Sequence, residues 1–171
     1  VDCRRVEFGT EPWHTNIASM MMTDTVTGGC QCGRVRYAVV IDSDDAYLCH
    51  CRMCQRATGG VSIALKGVRR SDLTWTTREP DRYASSPIAN RGFCSACGTP
   101  LTFEFADSEA PGLDLTVGSF DNPYRFHPAS HFAIESWHSD WLDTRDLPGK
   151  RSEDNASTRD RWMKVVGKLP D

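Results

Sequence analysis

Residues 49–54 read Cys49-His50-Cys51-Arg52-Met53-Cys54, three cysteines within six positions. Two further pairs flank them, Cys30-Gln31-Cys32-Gly33 upstream and Cys94-Ser95-Ala96-Cys97-Gly98 downstream. Disulfides fit such crowding badly, because each bridge needs Cα atoms several ångströms apart and suitably aimed Cβ vectors. A zinc ion fits it well, since its tetrahedral shell gathers thiolates at about 2.3 Å from the metal. The chain therefore reads as a folded protein holding two Zn²⁺, with one saturated site and one site a ligand short.

Chain geometry says how the sulfurs divide. In extended backbone alternate side chains share a face. Cys30 and Cys32 then point together with Gln31 opposite, and Cys49 and Cys51 point together with His50 turned away. Gly33 and Gly98 follow the second cysteine of their pairs, where positive φ lets backbone N–H groups curl toward sulfur. Two such knuckles facing each other make a closed four-thiolate site of Cys30, Cys32, Cys94 and Cys97, which contributes folding energy directly.

Cys49, Cys51 and Cys54 remain. Cys54 sits about one helical turn beyond Cys51, so three thiolates can converge while a fourth position stays open, the mark of a catalytic or substrate-binding zinc. Two alternatives stand beside this reading. His50, His127, His131 or His138 could close the shell as a second structural site, or the thiols could carry no metal. With three thiolates the ion is a weak Lewis acid and a poor source of hydroxide, better suited to capturing a thiol that deprotonates on binding. That points to a thiol substrate meeting a small electrophile. Zinc deaminase chemistry is excluded, because neither H-x-E nor P-C-x-x-C occurs.

Composition bounds the remaining possibilities. A chain of 171 residues with 39% apolar and 25% charged residues is long enough for one domain with a modest core. Its formal charge of −3 becomes more acidic once thiolates and metals are counted, and no basic block of five occurs, which argues against a nucleic-acid partner. No run of 18 apolar residues is present, so no membrane span is expected. Residues 1–22 lack the apolar core of a signal peptide, and the metal-type spacing of seven of the eight cysteines fits a reducing, cytoplasmic setting. The eighth, Cys3, is read as a bystander. Nothing in the sequence speaks to oligomeric state.

Along the chain, residues 1–27 show no period, and a native start is expected among Met20, Met21 and Met22. Ordered structure is expected from Gly28. Strands are predicted over 34–41 (RVRYAVVI), 46–51, 61–66 (VSIALK), 73–77 (LTWTT), 101–105 (LTFEF), 113–117 (LDLTV) and 133–136. A helical turn is predicted over 52–57, stopping at Thr58-Gly59-Gly60, and 80–87 reads as loop. From Arg145 the chain turns polar, with a short helix expected over 160–166. The fold class is mainly β, built from short antiparallel sheets.

Three segments carry a family resemblance: GGCQCGRVRY (28–37), CHCRMCQRATG (49–59) and RGFCSACGTPLTF (91–103). They resemble the glutathione-dependent formaldehyde-activating enzyme family, which includes the centromere protein V domain. The likeness spans 28–148, taking in HFAIESWHSDWLDTRDLP (131–148), with 1–27 an extension, native or appended, and 149–171 a polar tail. It implies a β-tent fold, a structural zinc on Cys30, Cys32, Cys94 and Cys97, and a catalytic zinc on Cys49, Cys51 and Cys54. It also implies a carbon–sulfur lyase joining glutathione to formaldehyde as S-(hydroxymethyl)glutathione. Two rival readings are a non-catalytic zinc module for a protein or thiol ligand, and a related enzyme acting on another carbon–sulfur intermediate. Glutathione carries two carboxylates, so Arg52, Arg56 and Arg91 are candidate binding residues, or else solvated counter-charges to the thiolates. Gln55 and Thr58 could meet substrate or cap the turn. Trp137 and Trp141 could wall a pocket or fill a core.

Overall fold

The computed structural model describes residues 23–106, 111–141, 147–148 and 151–169. The expected start at Met20–Met22, Cys3, and residues 142–146 of the closing segment lie outside that set. The chain divides into two compact units, Val1–Leu48 with Ala64–Ser130, and Cys49–Ile63 with His131–Asp171.

The first unit is built on strands. A three-stranded sheet orders β1 (Asp24–Gly29), β2 (Arg36–Ile41) and β5 (Leu73–Trp75) as β1-β2-β5. A seven-stranded sheet contains β3 (Asp45–Cys49), β4 (Ile63–Arg69), β6 (Asp81–Ser86), β7 (Ala89–Phe93), β8 (Pro100–Phe105), β9 (Gly112–Thr116) and β10 (His127–Phe132). Its order is β10-β3-β4-β9-β8-β7-β6. The register of β1 on β2, β2 on β5, β4 on β9 and the β6–β7–β8–β9 run is antiparallel. This is the mainly β architecture expected from the spacing of short apolar runs. Strand β1 starts at Asp24, ahead of the Gly28-Gly29 pair. Among the described residues no helix is long and apolar enough to cross a membrane.

Alternation explains the core. In β2 the odd positions Tyr37, Val39 and Ile41 are buried, and they pack with Val35, Ala46, Leu101, Leu113, Leu115, Phe120 and Phe126. Tyr37 lies edge-on to both Trp75 and Phe120, and its hydroxyl reaches Ser119 Oγ at 2.8 Å. That bond satisfies the polar tip of a ring otherwise enclosed by apolar atoms.

Strand β8 departs from its apparent pattern. LTFEF predicts one apolar face of Leu101, Phe103 and Phe105, yet Phe105 is exposed and Glu104 is buried. Two cations decide the matter: Arg82 Nε donates to Glu104 Oε1 at 2.8 Å and Arg70 pairs with Oε2 at 2.6 Å. A buried carboxylate is tolerated when both oxygens are met this way.

Four segments differ from expectation. Residues 80–87, read as loop, contain β6, whose pairing with β7 rests on backbone bonds with a bulge between Ala84 and Ser86. Its polar sequence DRYASS has no apolar alternation to betray it. The same holds for β10 (HPASHF), whose six residues are all exposed. The strand expected over 133–136 is instead a 3-10 turn, Ile134–Ser136, because Ala133 takes a left-handed conformation at φ 57° and ends extended pairing. The terminal helix α2 spans Ala156–Val165 and starts before the expected 160.

Gly28 is required by crowding. A Cβ there would sit 2.4 Å from the Tyr37 ring and 2.5 Å from the Ser119 carbonyl oxygen. Gly28→Ala is expected to cost about 1–3 kcal/mol, as overpacked cores do, read as a lowered urea midpoint. Asp121 provides a pH test. Arg36 grips its carboxylate at 2.8 and 2.5 Å, and Thr27 Oγ1 donates at 2.5 Å. These bonds hold its pKa below the usual carboxylate value. The lowered folded pKa means that its stabilisation is complete above the unfolded value of about 3.9 and is lost as pH falls through the folded one. Asp121→Asn should therefore be less stable than wild type near pH 6, by under about 1 kcal/mol for so exposed a pair, with the gap closing near pH 2.

Candidate metal centres

The four-cysteine group lies in the first unit. Cys30, Cys32, Cys94 and Cys97 place their sulfurs all within 4.8 Å of one another. Cys30 and Cys32 Sγ are 3.5 Å apart, and Cys32 and Cys94 Sγ 3.8 Å. Tetrahedral thiolates at about 2.3 Å from a zinc ion stand about 3.8 Å from each other, so these residues fit the ion. No disulfide links them.

The backbone around them has the expected curl. Gly33 and Gly98 sit at φ 76° and 77°, and their N–H groups close turns onto the carbonyls of Cys30 and Cys94 at 3.0 and 2.7 Å. The turn at Gly33 brings Val35 N–H to Cys30 Sγ at 3.2 Å. Thr99 bonds, from side chain and backbone, bring the Cys97 thiol down to about 5. Cys32 rises to about 11: N–H bonding at Arg34 lowers it, but the sulfurs of Cys30, Cys97 and Cys94 together outweigh that. Thiolates this close repel, and a divalent cation among them turns repulsion into attraction.

The three-cysteine group lies in the second unit, with its ligand atoms likewise within 4.8 Å. Cys49 ends β3 and Cys54 rides on helix α1 (Arg52–Thr58). Cys51 is that helix's N-cap: its Sγ accepts from Cys54 N–H at 3.3 Å, the part usually taken by a serine or aspartate oxygen. Burial pushes the Cys51 thiol up, but backbone bonds from Cys54 and Met53 and its sulfur neighbours bring it below the ordinary value. Burial pushes the Cys49 thiol to about 12, and the two neighbouring sulfurs add to the rise. Among the described residues, no histidine nitrogen or carboxylate oxygen lies within 4.8 Å of all three sulfurs.

His50 turns away from the cysteines, as alternation requires, but into the interior. It is only 1% exposed, and every polar group it uses is held. Its N–H donates to Phe132 O at 2.9 Å, its carbonyl accepts from Gln55 Nε2 at 2.8 Å, and its Nε2 meets His131 Nδ1 at 2.9 Å. Trp137 stacks on both imidazoles, with centroids 5.3 Å from His50 and 4.5 Å from His131. Burial first, then the charges of His131 and His138, keep His50 below its ordinary pKa and hence neutral.

The other sequence candidates fall in different places. Arg52 and Arg56 are exposed on α1, the helix that carries Cys54, and Arg52 Nη1 donates to Gln55 Oε1. Arg91 belongs to the first unit, where it is buried on β7 with its guanidinium 5.0 Å from the Phe103 ring centroid. Thr58 Oγ1 donates to Cys54 O at 3.0 Å and accepts from Gly60 N–H, the capping role. Trp141 is exposed, while Trp137 joins the histidine stack. No spacing in the sequence foretold that residues 131–137 would brace the Cys49–Cys51 knuckle.

The sequence matches the family described as glutathione-dependent formaldehyde-activating enzyme over residues 25–136. The chain belongs to this family. A relative of this family member, an uncharacterized lyase of Schizosaccharomyces pombe (strain 972), is 27% identical over 84 residues. That alignment covers 49% of this chain and 61% of the yeast protein, so the chain spans less than two thirds of that relative's length. In fold, this family member is similar to a Rhodobacter sphaeroides protein of known crystal structure. The TM-score is 0.50 at 23% identity, over 61% of this chain and 98% of that one.

Two metal equivalents per chain are expected by elemental analysis of protein prepared with zinc. Cys54→Ser should lower the count to one with the circular dichroism spectrum retained. Cys94→Ser should instead depress the melting temperature by more than about 10 °C, because metal affinity at a closed thiolate site is folding free energy.

Proposed function

We propose that this protein is a zinc-dependent carbon–sulfur lyase that binds a small thiol, glutathione foremost, and joins it to an aldehyde such as formaldehyde. Cys30, Cys32, Cys94 and Cys97 hold a structural Zn²⁺; Cys49, Cys51 and Cys54 hold a catalytic one. The observation carrying this reading is the set of three converged sulfurs with no fourth cysteine sulfur, histidine nitrogen or carboxylate oxygen among the described residues within the same range. Family membership and the lyase-named yeast relative support it. The catalytic domain spans 28–148, with 149–171 a polar tail, and the setting is cytoplasmic.

When bound, the ion would supply one further coordination position at which a thiol sheds its proton. The chain's residues do the rest. Three thiolates in a fixed triangle make that position soft and so select sulfur over water. The exposed guanidinium groups of Arg52 and Arg56, carried on the same helix α1 as Cys54, suit the two carboxylates of glutathione. In the reaction a C–S bond forms between thiol sulfur and aldehyde carbon. The carbonyl π pair moves to oxygen, which takes up a proton to become the hydroxymethyl hydroxyl.

Calorimetric titration with glutathione is expected to give a binding isotherm with wild type and none with Cys54→Ser. Wild-type protein silent toward glutathione, yet binding another small thiol, would shift the substrate within the same chemistry. In an exchange-NMR assay of S-(hydroxymethyl)glutathione formation, Arg52→Ala and Arg56→Ala are each expected to raise KM about 10-fold with kcat little changed, the signature of lost uniform binding.

A further inference from the structure

Gln55 follows the third cysteine directly and is 5% exposed at the heart of the second unit. Its Nε2 lies 2.8 Å from His50 O, 3.1 Å from Val61 O and 3.0 Å from Ser136 O. Its Oε1 accepts from Arg52. Three carbonyls thus share its two N–H groups, while a guanidinium meets its oxygen. The carbonyls come from separate pieces of chain: the peptide between Cys49 and Cys51, the segment after α1, and the 3-10 turn at Ile134–Ser136.

An amide with this connectivity does more than fill space. Gln55 is covalently next to Cys54 and hydrogen-bonded to the residue between Cys49 and Cys51. It therefore sets the distance from the helical sulfur of Cys54 to the sulfurs of Cys49, at the strand end, and Cys51, at the helix cap, through one short lever. The other fixings of His50 all come from 131–137: Phe132 O, His131 Nδ1 and the Trp137 ring. Gln55 also binds that segment, through Ser136 O, and so joins the knuckle, the helix and the brace in one network.

We propose that Gln55 is a positioning residue for the three-thiolate centre, holding Cys49, Cys51 and Cys54 in the triangle that leaves a coordination position for substrate sulfur. The inference rests on the reading of these cysteines as a metal site. Groups that orient metal ligands from behind typically contribute about 10–100-fold in metal affinity.

Gln55→Met tests this, since methionine matches the side chain in length and helix propensity but cannot donate to the three carbonyls. The probe is Co²⁺, whose thiolate charge-transfer and ligand-field bands report coordination geometry. Wild type should take up two equivalents, and Cys54→Ser shows which bands belong to the three-cysteine site. Gln55→Met is expected to alter those bands alone and to weaken that site about 10–100-fold in competition with a chelator. Ser119→Ala, which removes the buried hydrogen bond to Tyr37 in the first unit, should leave them unchanged. A Gln55→Met protein that melts lower but keeps wild-type bands and affinity overturns the positioning role. A wild type that binds one equivalent overturns the metal reading beneath it, and the positioning role with it.

Discussion

Thiolates repel one another, and the local structure around both cysteine groups is organised to make several of them tolerable at van der Waals range. Backbone N–H groups do much of this. Val35 N–H reaches Cys30, and Cys54 N–H reaches Cys51, each a partial positive charge supplied by the chain itself. Glycines at positive φ turn the chain tightly enough for the first group, while a helix start supplies the donor for the second. A divalent cation held there would complete the charge balance, and the 3.5–3.8 Å spacing of sulfurs in the four-cysteine group suits one.

The two groups are supported differently. The four-cysteine group stands among strands, its Cys30 and Cys94 packed into the apolar core with Val35 and Leu101. Its own turns close its geometry, and Thr99 adds hydrogen bonds to Cys97. The three-cysteine group has one knuckle and one helical cysteine, so its geometry depends on what lies behind them. His50 is held at backbone and ring, and Gln55 spans from helix to knuckle. Burying polar groups so completely is costly unless each is met, and here the amide and both backbone groups of His50 are met. Such a satisfied network specifies one arrangement rather than many.

The same rule governs Glu104 and Tyr37 in the first unit. Glu104 is buried against expectation because Arg70 and Arg82 reach both its oxygens, and Tyr37 is buried because Ser119 takes its hydroxyl. In β2 the apolar alternation sets the buried face and the polar partner satisfies it, whereas in β8 the ion pairs place a charged residue inside. Hydrophobic periodicity is a statement about solvation averages, and a specific ion pair can overrule it.

The cysteine grouping was legible in the bare sequence because ligand spacing is a local property: C-x-C in extended chain and C-x-x-C at a turn aim each pair of sulfurs to one side. Strands β2, β8 and β9 and the stop of α1 at Gly59 were legible for the same reason, each carrying its alternation or its left-handed glycine within a few residues. Strands β6 and β10 were not, since their pairing rests on backbone bonds to neighbours and their side chains stay largely in solvent. Nor were the partners of His50 and Gln55. His131, Trp137 and the carbonyl of Ser136 lie some eighty positions away, and only tertiary folding brings them to the knuckle. Residue type and local spacing determined that sulfur would gather; the long-range backbone path decided what would stand behind it.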